Sequence, residues 1–101
     1  MKSFGEIIKK ERENRGLLLR QVASGLDVDQ ALISKFESGV RKPSKEQVEK
    51  FAHFYKINEK ELLTAWLSDK IIFVIQNEDI AEKALKVAEQ KIKYLKIKKN
   101  E

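Results

Sequence analysis

Residues 19–38 read LRQVASGLDVDQALISKFES. Two runs of helix-forming residues flank a polar interruption, and Asp29 stands directly before the second run, where a helix N-terminus wants a side-chain acceptor. Two short helices can cross steeply over a tight turn only where a small residue faces the partner and apolar residues fill the inner faces. Ala23 supplies the small contact, while Val22, Leu26, Val28, Ile33 and Phe36 supply the inner faces. The spacing therefore predicts helices over 19–25 and 30–38, the second ended by Gly39.

Outward from this pair, the signals remain helical. Ser3 with Glu6 forms a capping box for a first helix over 4–14 that buries Phe4, Ile7 and Ile8, with Gly16 just past its end. Ser44 with Gln47 opens another helix to Tyr55, and Asn58 with Glu61 a longer one through Leu62, Leu63, Trp66 and Leu67 toward Ile75. The β-branched run at 71–75, IIFVI, also fits a short strand, but no breaker separates it from the preceding pattern, so helix is expected. Asn77 is expected to cap a last helix that continues to the lysine-rich end.

The two crossing helices have the pattern of a helix-turn-helix, and the chain resembles the XRE family of phage-repressor and Cro-like DNA-binding domains. FGEIIKKERENRG resembles the family's first helix, SKFESGVRKPS the exit of its recognition helix, and EQVEKFAHFYKI its fourth helix. The resemblance covers about residues 4–65 and implies an all-α fold: a five-helix lambda-repressor-like helix-turn-helix domain over 1–65 with a C-terminal helical extension over 66–101. Three positions depart from the family pattern; the turn position usually held by glycine is Asp27, expected in left-handed backbone, which aspartate tolerates better than most residues. Where the family often has a Ser or Thr cap followed by a phosphate-binding glutamine, this chain has Leu18 and Leu19, which leaves Arg20 to take the phosphate.

What the resemblance implies about residues follows position by position. The recognition helix lies in the major groove with its N-terminal residues at base edges, which places Gln30, Ala31, Ser34 and Lys35 there. Gln30 suits adenine, Lys35 suits guanine O6 or N7, and the Ala31 methyl suits a thymine methyl. Arg20, Ser38, Arg41, Lys42 and Lys45 are the expected phosphate contacts. Arg12 and Glu37 are expected to form a structural ion pair between the first helix and the end of the recognition helix.

Composition agrees with a basic partner surface. The 101 residues carry 21 Lys+Arg against 16 Asp+Glu, a formal charge of +5. Residues 1–57 hold twelve basic and eight acidic side chains and residues 58–101 nine and eight, so the excess is mostly N-terminal. All four arginines, the side chains that fork onto phosphates and guanine edges, lie at or before Arg41. With no cysteine and one histidine, His53, thiolate chemistry and a histidine–cysteine metal site are absent from the sequence, and no metal or cofactor is expected. The sequence has no glycine-rich phosphate loop, nucleophile elbow or HExxH pair, so no enzymatic activity is expected. The longest apolar run is the five residues Ile71–Ile75, short of the ~20 that span a bilayer. A soluble, cytoplasmic protein is expected.

Residues 66–75 are too apolar for one exposed helix face, and Ala81, Leu85, Ala88, Ile92 and Leu95 recur at alternating spacings of 4 and 3. Trp66, Ile71, Ile72, Phe73, Ile75, Leu85, Ala88 and Ile92 are accordingly expected to associate. The last helix can fold back on the preceding one, pair with a second chain across a two-fold axis, or do both. The terminal lysines 91, 93, 96, 98 and 99 suit either added phosphate contacts or a solvated end. The functional expectation is a homodimeric transcriptional regulator on a near-palindromic operator in double-stranded DNA, blocking or recruiting RNA polymerase. Its size and layout resemble the autoregulatory controller proteins of restriction-modification systems. The rival readings are an antitoxin of the same fold, and an adaptor that binds a partner protein through the C-terminal apolar surface.

Overall fold

A computed structural model describes residues 2–100 as six helices: α1 (Phe4–Asn14), α2 (Leu19–Leu26), α3 (Gln30–Ser38), α4 (Lys45–Tyr55), α5 (Glu59–Ile75) and α6 (Ala81–Lys99). No strand occurs among the described residues, and 71–75 are helical. One compact unit ends at Lys70 and a second begins at Ile71.

The caps explain where the helices of the first unit begin. Ser3 Oγ accepts from Glu6 N at 3.2 Å while the Glu6 carboxylate accepts from Ser3 N at 3.2 Å, and Ser44 and Gln47 repeat the arrangement at 3.2 and 2.9 Å. The Ser3 amide holds the Glu6 carboxyl below its ordinary pKa. Asp29 Oδ1 accepts from Ala31 N at 3.0 Å, and Asn58 Oδ1 from Glu61 N at 2.9 Å. The N-cap of α2 is Leu18, which offers no acceptor; Gln21 Oε1 instead accepts from Leu18 N at 2.7 Å. Asp27 lies at φ 55°, ψ 48°, the left-handed conformation expected of it, and Lys56 at the end of α4 adopts the same conformation.

Phe51 of α4 is the hub of the core. Its ring meets Phe4 at 5.6 Å edge-on, Phe36 at 6.1 Å edge-on and Tyr55 at 6.3 Å stacked, geometries worth about 0.5–1.5 kcal/mol each beyond the area they bury. Ile8, Val22, Ile33, Val48 and Leu62 complete the interior, each at most 2 % exposed. Two glycines allow the helices to come this close. A Cβ on Gly5 would lie 2.6 Å from the carbonyl oxygens of both Phe36 and Glu37, and one on Gly25 would lie 2.3 Å from Cε1 of Phe54. Neither position tolerates a side chain without moving α1 off α3 or displacing Phe54 of α4.

Trp66 corrects an expectation. Expected on the associating surface, it is instead 8 % exposed in the core, and its indole N–H donates to the Pro43 carbonyl at 2.8 Å. Asp69, one turn on, accepts from the backbone N–H of Phe4 at 2.9 Å and so caps α1. The domain thus uses residues beyond 65, because the middle of α5 supplies both a core aromatic and a cap.

Tyr55 is fully buried, and its hydroxyl has no hydrogen-bond partner. Burial, with the nearby Glu37 charge adding to it, pushes its pKa up to about 12. Because the folded chain favours the neutral phenol, stability is complete below the unfolded value of about 10 and falls as the pH rises toward 12. The slope is at most about 1.4 kcal/mol per pH unit. Tyr55→Phe removes an unsatisfied group of nearly unchanged shape. Urea melts should show it more stable at pH 7 by about 1 kcal/mol and without this residue's share of the alkaline loss; a variant less stable than the parent would contradict the assignment.

In the second unit no residue of α6 is buried. The large apolar residues of α6 are accordingly exposed. Asn77 does not cap α6: the N-cap is Ile80, without a side-chain hydrogen bond. Ile71, Ile72, Phe73 and Val74 are 41–73 % exposed. Among the described residues no helix is long and apolar enough to cross a membrane.

Candidate nucleic-acid interface

A three-residue turn, Asp27 to Asp29, separates α2 from α3. Ile33 and Phe36 drive one side of α3 into the core, which turns the opposite side outward. Gln30, Ala31, Ser34, Lys35 and Ser38 all lie on that outer side and all are exposed. Their spacing of i, i+1, i+4, i+5 and i+8 keeps them on one helical face. The face offers an amide, a methyl, a hydroxyl and an ammonium, the groups that can read base edges by hydrogen bonding and methyl contact.

The end of α3 is fixed from two directions. Arg12 of α1 meets Glu37 in a fork, Nε to Oε2 at 2.8 Å and Nη2 to Oε1 at 3.0 Å, with side-chain exposures of 15 % and 6 %. Arg12 also donates through Nη1 to the Leu17 carbonyl at 3.1 Å, tying α1 to the start of the α2 segment. The Glu37 carboxylate raises the Arg12 pKa above its ordinary value, against the opposing effect of burial. Neither group faces outward, so the pair orients α3.

Beyond α3 the chain turns at Gly39, φ 81°, and Arg41 N donates back to the Lys35 carbonyl at 3.2 Å. Trp66 holds the Pro43 carbonyl, and Ser44 begins α4. Between these anchors Arg41 and Lys42 are exposed, as is Lys45 on the first turn of α4; Arg20 is exposed on the first turn of α2. Ser38 differs from its expected role: its Oγ donates to the Lys35 carbonyl at 3.1 Å, so it can donate to a phosphate only by breaking that bond.

A family model described as a helix-turn-helix domain matches residues 5–67. The chain belongs to the helix-turn-helix family, of the XRE and Cro type. Its first unit is thus a DNA-binding domain, and the match extends to Leu67, taking in Trp66. No curated protein matches the chain as a relative.

Gly5, Gly25, Arg15 and Val40 also stand in or beside the helix-turn-helix. Gly5 and Gly25 stand inside helices where no turn needs them, the usual mark of close approach. Arg15 places its guanidinium 5.1 Å from the Tyr55 ring centre and donates to the Tyr55 carbonyl; no local pattern signals a partner forty residues away. Val40, 74 % exposed between α3 and Arg41, is an apolar residue at the edge of the reading face.

Proposed function

We propose that this helix-turn-helix protein is a sequence-specific transcriptional regulator that binds double-stranded DNA as a homodimer. The observation that carries the reading is the exposed face of α3, whose base-reading residues Gln30, Ala31, Ser34 and Lys35 stand clear of the core while Arg12–Glu37 and Trp66–Pro43 anchor its far end. Arg20, Arg41, Lys42 and Lys45 supply the phosphate contacts that set register, and Ser38 joins them only if it releases Lys35. A domain of this kind reads one half-site, and two copies read two half-sites about 34 Å apart. The exposed apolar residues Ile71, Ile72 and Phe73, with Leu85, Ala88 and Ile92 of α6, supply the association, and the half-buried Ile75 lies at its edge. The operator is near-palindromic and occupancy blocks or recruits RNA polymerase; the compact layout suits a controller-type protein acting on its own gene.

The first test is binding to a duplex at two salt concentrations. Affinity should fall steeply with salt, by about 0.9 in log–log slope for each phosphate neutralised. Lys35→Ala should relax discrimination at one base pair by about 1–3 kcal/mol, whereas Arg41→Ala should weaken all duplexes alike and lower the salt slope. An unchanged site preference in Lys35→Ala would contradict the groove assignment. The exposed apolar stretch 71–74 also supports a second reading, an antitoxin or adaptor whose partner is another protein. A stable monomer when the chain is purified alone would favour that reading.

A further inference from the structure

α6 is nineteen residues long and buries none of them, although most of a helix's stability in proteins comes from packing its apolar face. Its apolar positions Leu85, Ala88, Ile92 and Leu95 follow the 3–4 alternation of a two-helix seam, and Leu85, Ile92 and Leu95 are 37, 55 and 63 % exposed. The seam is complete in sequence and uncovered in the chain.

Charge decides what can lie across it. Residues 81–90 hold two glutamates, Glu82 and Glu89, against two lysines, whereas 91–99 hold five lysines and no acid. A parallel copy would set five lysines against five, and its flanking positions would bring Lys91 beside Lys96 of the other copy twice over. An antiparallel copy sets the five-lysine half against the neutral half. With Leu85 opposite Leu95 and Ala88 opposite Ile92, Glu82 then flanks Lys96 of the other copy at both ends. Single like-charge meetings remain only at the axis, Glu89 with its copy and Lys91 with its copy. Antiparallel pairing also places each helix's negative C-terminal end by the other's positive N-terminal end.

We infer that α6 docks a second copy of this chain in antiparallel register, centred between Glu89 and Lys91. The inference deepens the dimeric reading proposed above and rests on it. It assigns Glu82 and Lys96 the choice of orientation, since flanking charges set orientation in helix pairs.

Sedimentation of the full chain tests it. The parent should dimerise; Lys96→Glu should weaken the dimer about tenfold, because two attractive pairs become repulsive, and the added substitution Glu82→Lys should restore it. In a parallel pair Lys96→Glu would relieve the Lys91 contact and tighten the dimer, which would overturn the inference. Because the chain has no cysteine, crosslinking gives an independent readout. A Leu85→Cys chain mixed with a Leu95→Cys chain should form the mixed disulfide; a predominant Leu95→Cys self-disulfide would overturn the antiparallel register. A parent that stays monomeric at several hundred micromolar overturns both the inference and the dimer. DNA binding, measured on the same samples by fluorescence anisotropy, reports separately on the α3 reading.

Discussion

Arg12→Ala will destabilise the domain by about 3–5 kcal/mol, because it leaves the Glu37 carboxylate almost enclosed and alone. The fork at 2.8 and 3.0 Å and the 6 % exposure of Glu37 make this cost large, where an exposed pair would be worth at most about 1 kcal/mol. The same substitution also abandons the Leu17 carbonyl, Arg12's third contact. Glu37→Ala should be similarly harmful, since it strands the guanidinium. The double variant should lose clearly less than the two single losses added, because neither charge is then left unpaired. Urea denaturation of the four proteins closes the cycle. A single Arg12→Ala variant within about 0.5 kcal/mol of the parent would show that the pair does not hold α3.

Trp66→Ala is expected to cost about 3–5 kcal/mol, the range for removing a large buried aromatic, and to have a second, functional consequence. Its indole N–H holds the Pro43 carbonyl, so the loop carrying Arg41 and Lys42 loses an anchor. Trp66→Phe isolates that effect: most of the buried ring remains, and the lost bond leaves a buried carbonyl unpaired at about 1–3 kcal/mol. Loosening the loop should weaken binding to every duplex about equally while base preference at the α3 face is kept. Melting curves and anisotropy titrations of both variants check this. A Trp66→Ala chain as stable as the parent would place Trp66 outside the core.

The first four helices were legible in the sequence because their signals are local. Ser3–Glu6, Asp29 and Ser44–Gln47 are caps acting over three residues or fewer, and apolar spacing selects the buried side of each helix. The outer face of α3 follows from the same periodicity: once Ile33 and Phe36 turn inward, Gln30, Ala31, Ser34 and Lys35 have to turn outward. Long-range partners were not legible. Trp66 looked like part of an apolar run continuous with Ile71–Ile75, and only the fold shows that Pro43 and the core claim it while residues 71–74 stay exposed. The Asp69 cap on Phe4 spans sixty-five residues and leaves no pattern. Asn77 has the chemistry of a cap, but the chain runs three residues further before α6 begins. Ser38 has the right side chain and position for a phosphate contact, and its own helix takes the proton first.

The central claim is that the outer face of α3 reads DNA sequence. Selection of duplexes from a random pool by the intact chain tests it most directly, with Lys35→Ala selected in parallel. The account predicts an enriched, near-two-fold site with half-sites about 34 Å apart, in which one base pair per half-site loses its preference in the Lys35→Ala selection. A pool that remains random, or an enriched site unchanged by Lys35→Ala, would contradict it.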